Sequence, residues 1–213
     1  MTDAPSTTRR SFVSLLSWVA GLSAVPSTVE AAQASAGGFD LRWIDELKGR
    51  HIQVFDMADS DPASQPPPLR LPRNYMDGFR DVYRQAFPDI RTIVGISGRA
   101  FPVNASDRLW QKYGLGARGK IVDPATKQPA ERNVFLDDPT LGVKALQARG
   151  TVFWQCAIAL DAVAQQLATA HQLPVPDVRA DLAAGLNPGV RIVPSHVMAL
   201  GLVQEKGATY VKI

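Results

Sequence analysis

The sequence of 213 residues predicts an α/β domain built on a mainly parallel sheet of about five strands. Two strand-like apolar runs, at 51–57 and 90–97, flank a helical pattern, and such a βαβ unit requires parallel pairing. A third apolar run, 152–154, leads to Cys156 and passes directly into helical spacing, as a buried strand followed by a helix does. Two short runs, at 190–194 and 208–213, complete the expected strands.

Composition and charge are those of an ordinary globular protein. The net charge of +3 is small, and the basic residues are scattered along the chain, so nucleic-acid binding has little support. The single cysteine excludes an intrachain disulfide and a cysteine-rich metal site. His51, His171 and His196 lack the spacing of metal ligands, so we interpret them as surface or packing residues and predict no metal. A site shared between subunits stays open.

Residues 1–36 have the pattern of an export signal. An apolar stretch, 12–25, is too short for a membrane span and precedes small residues that end at Ala36, the expected cleavage position. Before it, the segment 8–12 (TRRSF) resembles a twin-arginine signal, which implies export of a folded protein. A general secretory signal is the alternative. Both predict a periplasmic protein with no stable membrane span after cleavage.

The N-terminal half of the domain contains two predicted helices. The first covers 39–50 and ends at Gly49; the second covers 72–87, with Pro72 near its start and Pro88 just after its end. The second carries an apolar stripe that we expect in the core, made of Tyr75, Met76, Phe79, Val82, Tyr83 and Ala86. A proline-rich loop, 59–68, follows the first strand.

The segment after the second strand holds a short predicted helix through Leu109, Trp110 and Tyr113, capped by Asn104 or Ser106. The glycines at 114, 116 and 119 then match the dinucleotide pattern G-x-G-x-x-G. That pattern requires a preceding strand and a following helix, whereas a helix precedes here, so we predict no nucleotide cofactor. A turn-rich excursion extends to Pro139 and is expected to cover the crevice at the strand ends.

The C-terminal part predicts helices at 141–148, from Cys156 to about Ala170, at 178–186, and from Ser195 to Gly207. Ser195 is the expected N-cap of the last helix. Ser195 and His196 are not a catalytic pair, because adjacent side chains on a helix point apart.

Cys156 is the candidate functional residue. It lies where a strand ends and a helix begins, the position at which ligands bind to parallel sheets. The partial positive charge of a helix start favours thiolate, the nucleophilic form of cysteine. Cysteine is also a common buried residue that behaves as a small hydrophobe, so a packing role stays equally open.

Four features in order resemble the DsrE/DsrF-like family of sulfur-metabolism proteins: a helix ending at Gly150, the strand ending at Cys156, the segment 188–195 (PGVRIVPS) and the segment 202–210 (LVQEKGATY). The resemblance implies a flavodoxin-like three-layer sandwich over 37–213, with an inserted loop region at about 99–140. It implies a homo-oligomer, a trimer or hexamer. It also implies that Cys156 accepts a persulfide and passes the sulfur to a partner.

The sequence thus supports a periplasmic DsrE-like protein that carries or binds sulfane sulfur at Cys156, with a sulfur donor or acceptor protein as partner. The alternative is a non-catalytic oligomeric module that binds a ligand or partner through the 99–140 region, with Cys156 structural. A third alternative is that Cys156 is a redox-active thiol. Since the chain has no second cysteine, this role requires a thiol on a partner. The sequence indicates no chemical role for the neighbouring Trp154 and Gln155.

Overall fold

A computed structural model describes residues 38–58, 61–64 and 67–213 of the chain. Its sheet has five strands in the order β4-β3-β2-β1-β5, and every neighbouring pair is parallel. The strands are β1 (His51–Met57), β2 (Ile90–Ile96), β3 (Val152–Cys156), β4 (Arg191–Val193) and β5 (Thr209–Lys212). The predicted α/β class is confirmed, and the architecture is consistent with a flavodoxin-like sandwich. The predicted export signal, 1–36, lies outside the described residues.

Helices cover both faces of the sheet. In chain order they are α1 (Arg42–Asp45), α2 (Arg70–Tyr83), α3 (Phe101–Asn104), α4 (Asp107–Tyr113), α5 (Leu115–Arg118), α6 (Val143–Ala148), α7 (Ala157–His171), α8 (Val175–Ala184) and α9 (His196–Glu205). A 3₁₀ turn (Gly98–Ala100) precedes α3.

The strand order explains how the helices are distributed. Connections between parallel strands are right-handed, so the direction of each step along the sheet decides which face its helix covers. The steps from β1 to β4 all run in one direction and place their helices on one face. The step from β4 to β5 runs back across the sheet and places α9 on the other face. Accordingly α2 and α6 pack on Phe55, Val94 and Phe153, whereas α1 and α9 pack on the opposite face of the same strands.

One row of the sheet runs directly beneath α9. Strand register pairs Asp56 of β1 with Gly95 of β2, and Gly95 with Trp154 of β3. A Cβ atom at Gly95 would lie 2.5 Å from the Trp154 ring and 3.0 Å from the His196 ring. The glycine therefore provides the space in which two large rings meet above the central strand.

Two predicted helices are shorter than expected. The 39–50 helix is reduced to Arg42–Asp45, because the chain turns at Glu46 to bury Leu47 beside Trp43 and Ile44 and bends at Arg50 to enter β1. The 72–87 helix is Arg70–Tyr83 and ends in a Schellman arrangement, with Arg84 left-handed (φ 58°) and the Gln85 amide bonded to the Phe79 carbonyl. Val82 and Tyr83, expected in the core, are exposed.

The 99–140 region, predicted to be mostly loop, contains three helices and part of the core. Leu109, Trp110 and Tyr113 of α4 pack with Leu160 and Leu182 of α7 and α8. The glycines of the G-x-G-x-x-G pattern have structural roles here: Gly114 ends α4 with φ 58°, and a Cβ at Gly116 would lie 1.9 Å from the Ala130 carbonyl oxygen.

In the C-terminal part, α8 begins at Val175, three residues earlier than predicted, since Pro174 is its N-cap and Pro176 lies in its first turn, where no intrahelical amide donor is lost.

Candidate active site at the end of the third strand

Cys156 ends β3 and is the N-cap of α7. Its neighbour β4 ends at Val193, and α9 begins three residues later at His196. Two helices from opposite faces of the sheet therefore start beside this one sulfur atom. Cys156 is 4% exposed, yet it lines a cavity of about 530 Å³ together with Ser97, Gly98, Arg99, Gln166 and Ser195.

The first amide of α9 is directed at the thiol. The His196 backbone N–H donates to the Cys156 Sγ at 3.3 Å. Ser195 is the N-cap residue as predicted, but its side chain makes no capping hydrogen bond, so that part of the prediction was wrong. The Cys156 sulfur instead accepts the hydrogen bond of one backbone amide that has no partner within the helix. Such an N–H donor stabilises negative charge on the sulfur.

The His196 ring is buried in a hydrogen-bond network. Trp154 Nε1–H donates to His196 Nδ1 at 3.1 Å, and His196 Nε2 lies 2.7 Å from Asp56 Oδ1. An indole N–H can only donate, so Nδ1 is an acceptor and the proton of this imidazole is on Nε2, directed at the carboxylate. Our interpretation of His196 as a surface or packing residue therefore missed its polar role.

Asp56 is the anchor of this network. It is 6% exposed and accepts hydrogen bonds from the Ala58 amide (2.9 Å) and from the Tyr210 hydroxyl (2.8 Å). Burial alone would raise the pKa of Asp56, but the hydrogen bonds from Ala58, Tyr210 and His196 outweigh burial and hold that pKa below its ordinary value. The same bond to Asp56 raises the pKa of Tyr210. The carboxylate thus stays ionised and holds the Nε2–H form of His196.

These contacts define what the site can do. Both ring nitrogens of His196 are already bonded, to Trp154 and to Asp56, so the ring is not placed to take a proton from Cys156. The support that reaches the thiol is the backbone amide of the same residue. The arrangement is a thiol held by a helix start, with Asp56, His196 and Trp154 fixing that helix over the sheet.

Gln155 faces away from this network. It is fully buried and accepts a hydrogen bond from Asn104 Nδ2 at 3.2 Å, while the same amide group donates to the Trp154 carbonyl at 3.0 Å. Gln155 therefore ties β3 to α3 on the side opposite Cys156 and His196.

The network could not be recognised from sequence spacing. Asp56 and His196 are 140 residues apart, and Trp154 lies on a third strand. The available signal was positional: Asp56 stands near the carboxyl end of a buried strand, and His196 follows another.

Two further properties of the described part of the chain bear on function. Over residues 38–58, 61–64 and 67–213, no group of three His, Cys, Asp or Glu side chains is arranged to hold a metal ion. None of the helices in these ranges has the length and apolar character needed to cross a bilayer.

Comparisons with known proteins add little. No protein-family model matches the chain, and no curated protein does. Among solved structures the chain is similar to MTH1491 from Methanobacterium thermoautotrophicum, a protein of unknown function. The two are 16% identical with a TM-score of 0.39, over 78% of this chain and all of the other. A likeness at this level carries no functional argument.

Proposed function

We propose that this protein binds sulfane sulfur and carries it as a persulfide on Cys156, the role implied by its resemblance to the DsrE/DsrF-like family. The observation that carries the proposal is the His196 amide donating to the Cys156 Sγ at the edge of an open cavity. A purely packing thiol needs neither a donor directed at its sulfur nor a cavity in front of it.

The chemistry is a thiol–disulfide type exchange without net oxidation. The Cys156 thiolate attacks the terminal sulfur of a hydropersulfide, R–S–SH. A new S–S bond forms on Cys156, the donor S–S bond breaks, and R–S⁻ leaves with the electron pair. The His196 amide supports the sulfur that carries charge before the attack.

The test compares sulfur loading of the native and of the urea-unfolded protein at the same pH. We expect inorganic polysulfide to add sulfur to the native chain faster than to the urea-unfolded chain, as measured by intact mass. Cys156→Ser assigns the added mass, because it removes the only thiol. Protection of the native thiol until unfolding would overturn the proposal.

One observation favours the alternative, a binding module in which Cys156 is structural: the residue is only 4% exposed. The same experiment decides between the two functions. A native thiol that neither alkylates nor gains sulfur, but does both once unfolded, is a core residue.

We further propose a periplasmic location reached through the twin-arginine-type signal, and assembly into a trimer or hexamer. The support for both is the sequence resemblance. Fractionation of cells that express the full chain tests the location, and light scattering of the purified protein tests the assembly. A cytoplasmic pool alone, or a monomer, would contradict the respective proposal.

A further inference from the structure

The cavity at Cys156 continues into a groove. It shares Gly98, Arg99, Val163 and Gln166 with a neighbouring cavity of about 400 Å³. That cavity in turn shares Pro62, Ala63 and Lys120 with a third cavity of about 290 Å³. The three are therefore sections of one surface groove, which begins at the thiol and ends in the 120–141 region.

The middle section of the groove is basic. Among the described residues that line it are Arg99, Arg118 and Lys120, and the one described carboxylate there is Asp61, which lies 3.4 Å from Arg99. Among the described residues, no carboxylate lies within ion-pair distance of Arg118 or Lys120. Two exposed cations thus face this section without a partner in the described chain, and an anion would complement them.

The far section is apolar. Its walls include Leu69, Ile121, Val134, Phe135 and Leu141, and Val122 at its edge is 53% exposed. Its one carboxylate, Asp138, is already engaged by the amides of Thr140 and Leu141, each at 2.8 Å. This section therefore suits an apolar group more than a cation.

We propose that the groove binds an elongated organic anion, with its charged group over Arg118 and Lys120 and an apolar part in the Phe135 section. The volumes are those of small-molecule sites, which favours a ligand of that size over a folded partner. If the proposed function holds, this anion is the sulfur donor: an organic hydropersulfide whose charged and apolar parts dock in the groove and present the terminal sulfur to Cys156.

The first experiment measures anion binding in the groove of a protein that lacks the Cys156 thiol. Anilinonaphthalene sulfonate, an apolar anion, is titrated by fluorescence into the full-length Cys156→Ser protein carrying Arg118→Glu and Lys120→Glu. The matched control carries Lys48→Glu and Arg50→Glu, two exposed cations that precede β1 at the opposite end of the strands. We expect about tenfold weaker binding in the groove variant than in the control, because the control keeps both cations that face the anion. Val122→Asp tests the apolar section and should also weaken binding.

Equal dissociation constants in the two double variants, or no saturable binding, would overturn the inference. The donor assignment is tested separately, by sulfur loading of proteins that retain Cys156. Loading from an anionic aromatic hydropersulfide should slow in the groove variant by a larger factor than loading from inorganic polysulfide, which is an anion without an apolar part for the Phe135 section. If Cys156 never takes up sulfur but the probe still discriminates between the variants, the groove stands and the proposed function fails.

Discussion

His196 contributes to the surroundings of Cys156 through its backbone, and its ring has a different task. The ring joins Trp154 to Asp56 across the central strand, and the amide of the same residue reaches the thiol. Sequence reasoning identified Cys156 because an apolar run preceded it and a helical pattern followed. It could not identify the three supporting residues, since their association depends on strand register.

Trp154→Phe should weaken the hydrogen bond from the His196 amide to the Cys156 thiol. The change removes the only donor to His196 Nδ1 among the described residues and leaves a buried acceptor unsatisfied, so we expect a loss of about 1 to 3 kcal/mol in unfolding free energy. Native Cys156 should also alkylate several-fold more slowly at near-neutral pH, because the His196 amide is no longer held against the sulfur. Urea unfolding and iodoacetamide kinetics measure the two effects.

The control is Trp110→Phe. Trp110 is equally buried and donates one hydrogen bond, to the Pro102 carbonyl at 2.9 Å, but it lies in the α4 cluster away from Cys156. Trp110→Phe should lower the unfolding free energy by a similar amount and leave the alkylation rate of Cys156 unchanged. If both variants gave the same alkylation rate, the positioning role of Trp154 would be wrong.

Gly95→Ala is expected to destabilise the fold by at least about 2 kcal/mol, because the added methyl group meets the Trp154 ring at 2.5 Å in a packed interior. Gly78→Ala on α2 is the comparison, since no atom lies within 4 Å of its Cβ position and alanine suits a helix better. We expect a gain of about 0.5 to 1 kcal/mol there. Chemical denaturation measures both, and a neutral result at Gly95 would show that the rings can move apart.

At the level of elements, α4 and α8 are joined by one carboxylate. Asp181 of α8 accepts from Arg108 (2.5 Å), Lys112 (2.9 Å) and Tyr113 (2.7 Å) of α4. Burial opposes its ionisation, but the hydrogen bonds from Lys112, Tyr113 and Arg108 outweigh burial and lower the pKa of Asp181 to about 2. This contact fastens the 99–140 region to the rest of the domain.

Asp181 should make stability depend on pH in one direction. Its pKa falls from 3.8 to about 2 on folding, so its contribution is complete above pH 3.8 and is lost as the pH falls through 2. The free-energy difference between wild type and Asp181→Asn should be about 1 to 2 kcal/mol at neutral pH and should shrink in acid. Asp45→Asn, which breaks an exposed pair with Lys206, should change stability by less than about 1 kcal/mol. If the free-energy difference between wild type and Asp181→Asn did not change with pH, the lowered pKa of Asp181 would be contradicted.

At the scale of the whole molecule, the sequence predicted the parallel sheet because each buried strand is a short apolar run with a helix after it. The 99–140 region was predicted less well. Its apolar residues, Leu109 and Trp110 among them, are buried against α7 and α8, and a short helix cannot reveal its distant partner. Helix ends were missed where a local motif stopped the helix, as Arg84 stops α2.

The whole topology also explains the site. Cys156 sits between two helix starts because the chain lays β1 to β4 in one direction and then returns across the sheet to β5 through α9. Neither helix alone would enclose the thiol. The surroundings of Cys156 are therefore a property of the complete domain, even though the residue was predicted from a few neighbouring positions.

The empty position at Gly95 has a consequence for how this domain can diverge. Because the Trp154 and His196 rings together fill the space that a side chain at 95 would need, the sizes of the residues at 95, 154 and 196 are complementary. A homologue that gains a side chain at 95 is expected to have a smaller residue at 154 or 196, and with that change to have lost the hydrogen bond between these two side chains. The residues at positions 95, 154 and 196 would therefore separate homologues that keep the buried network from those that keep only the fold.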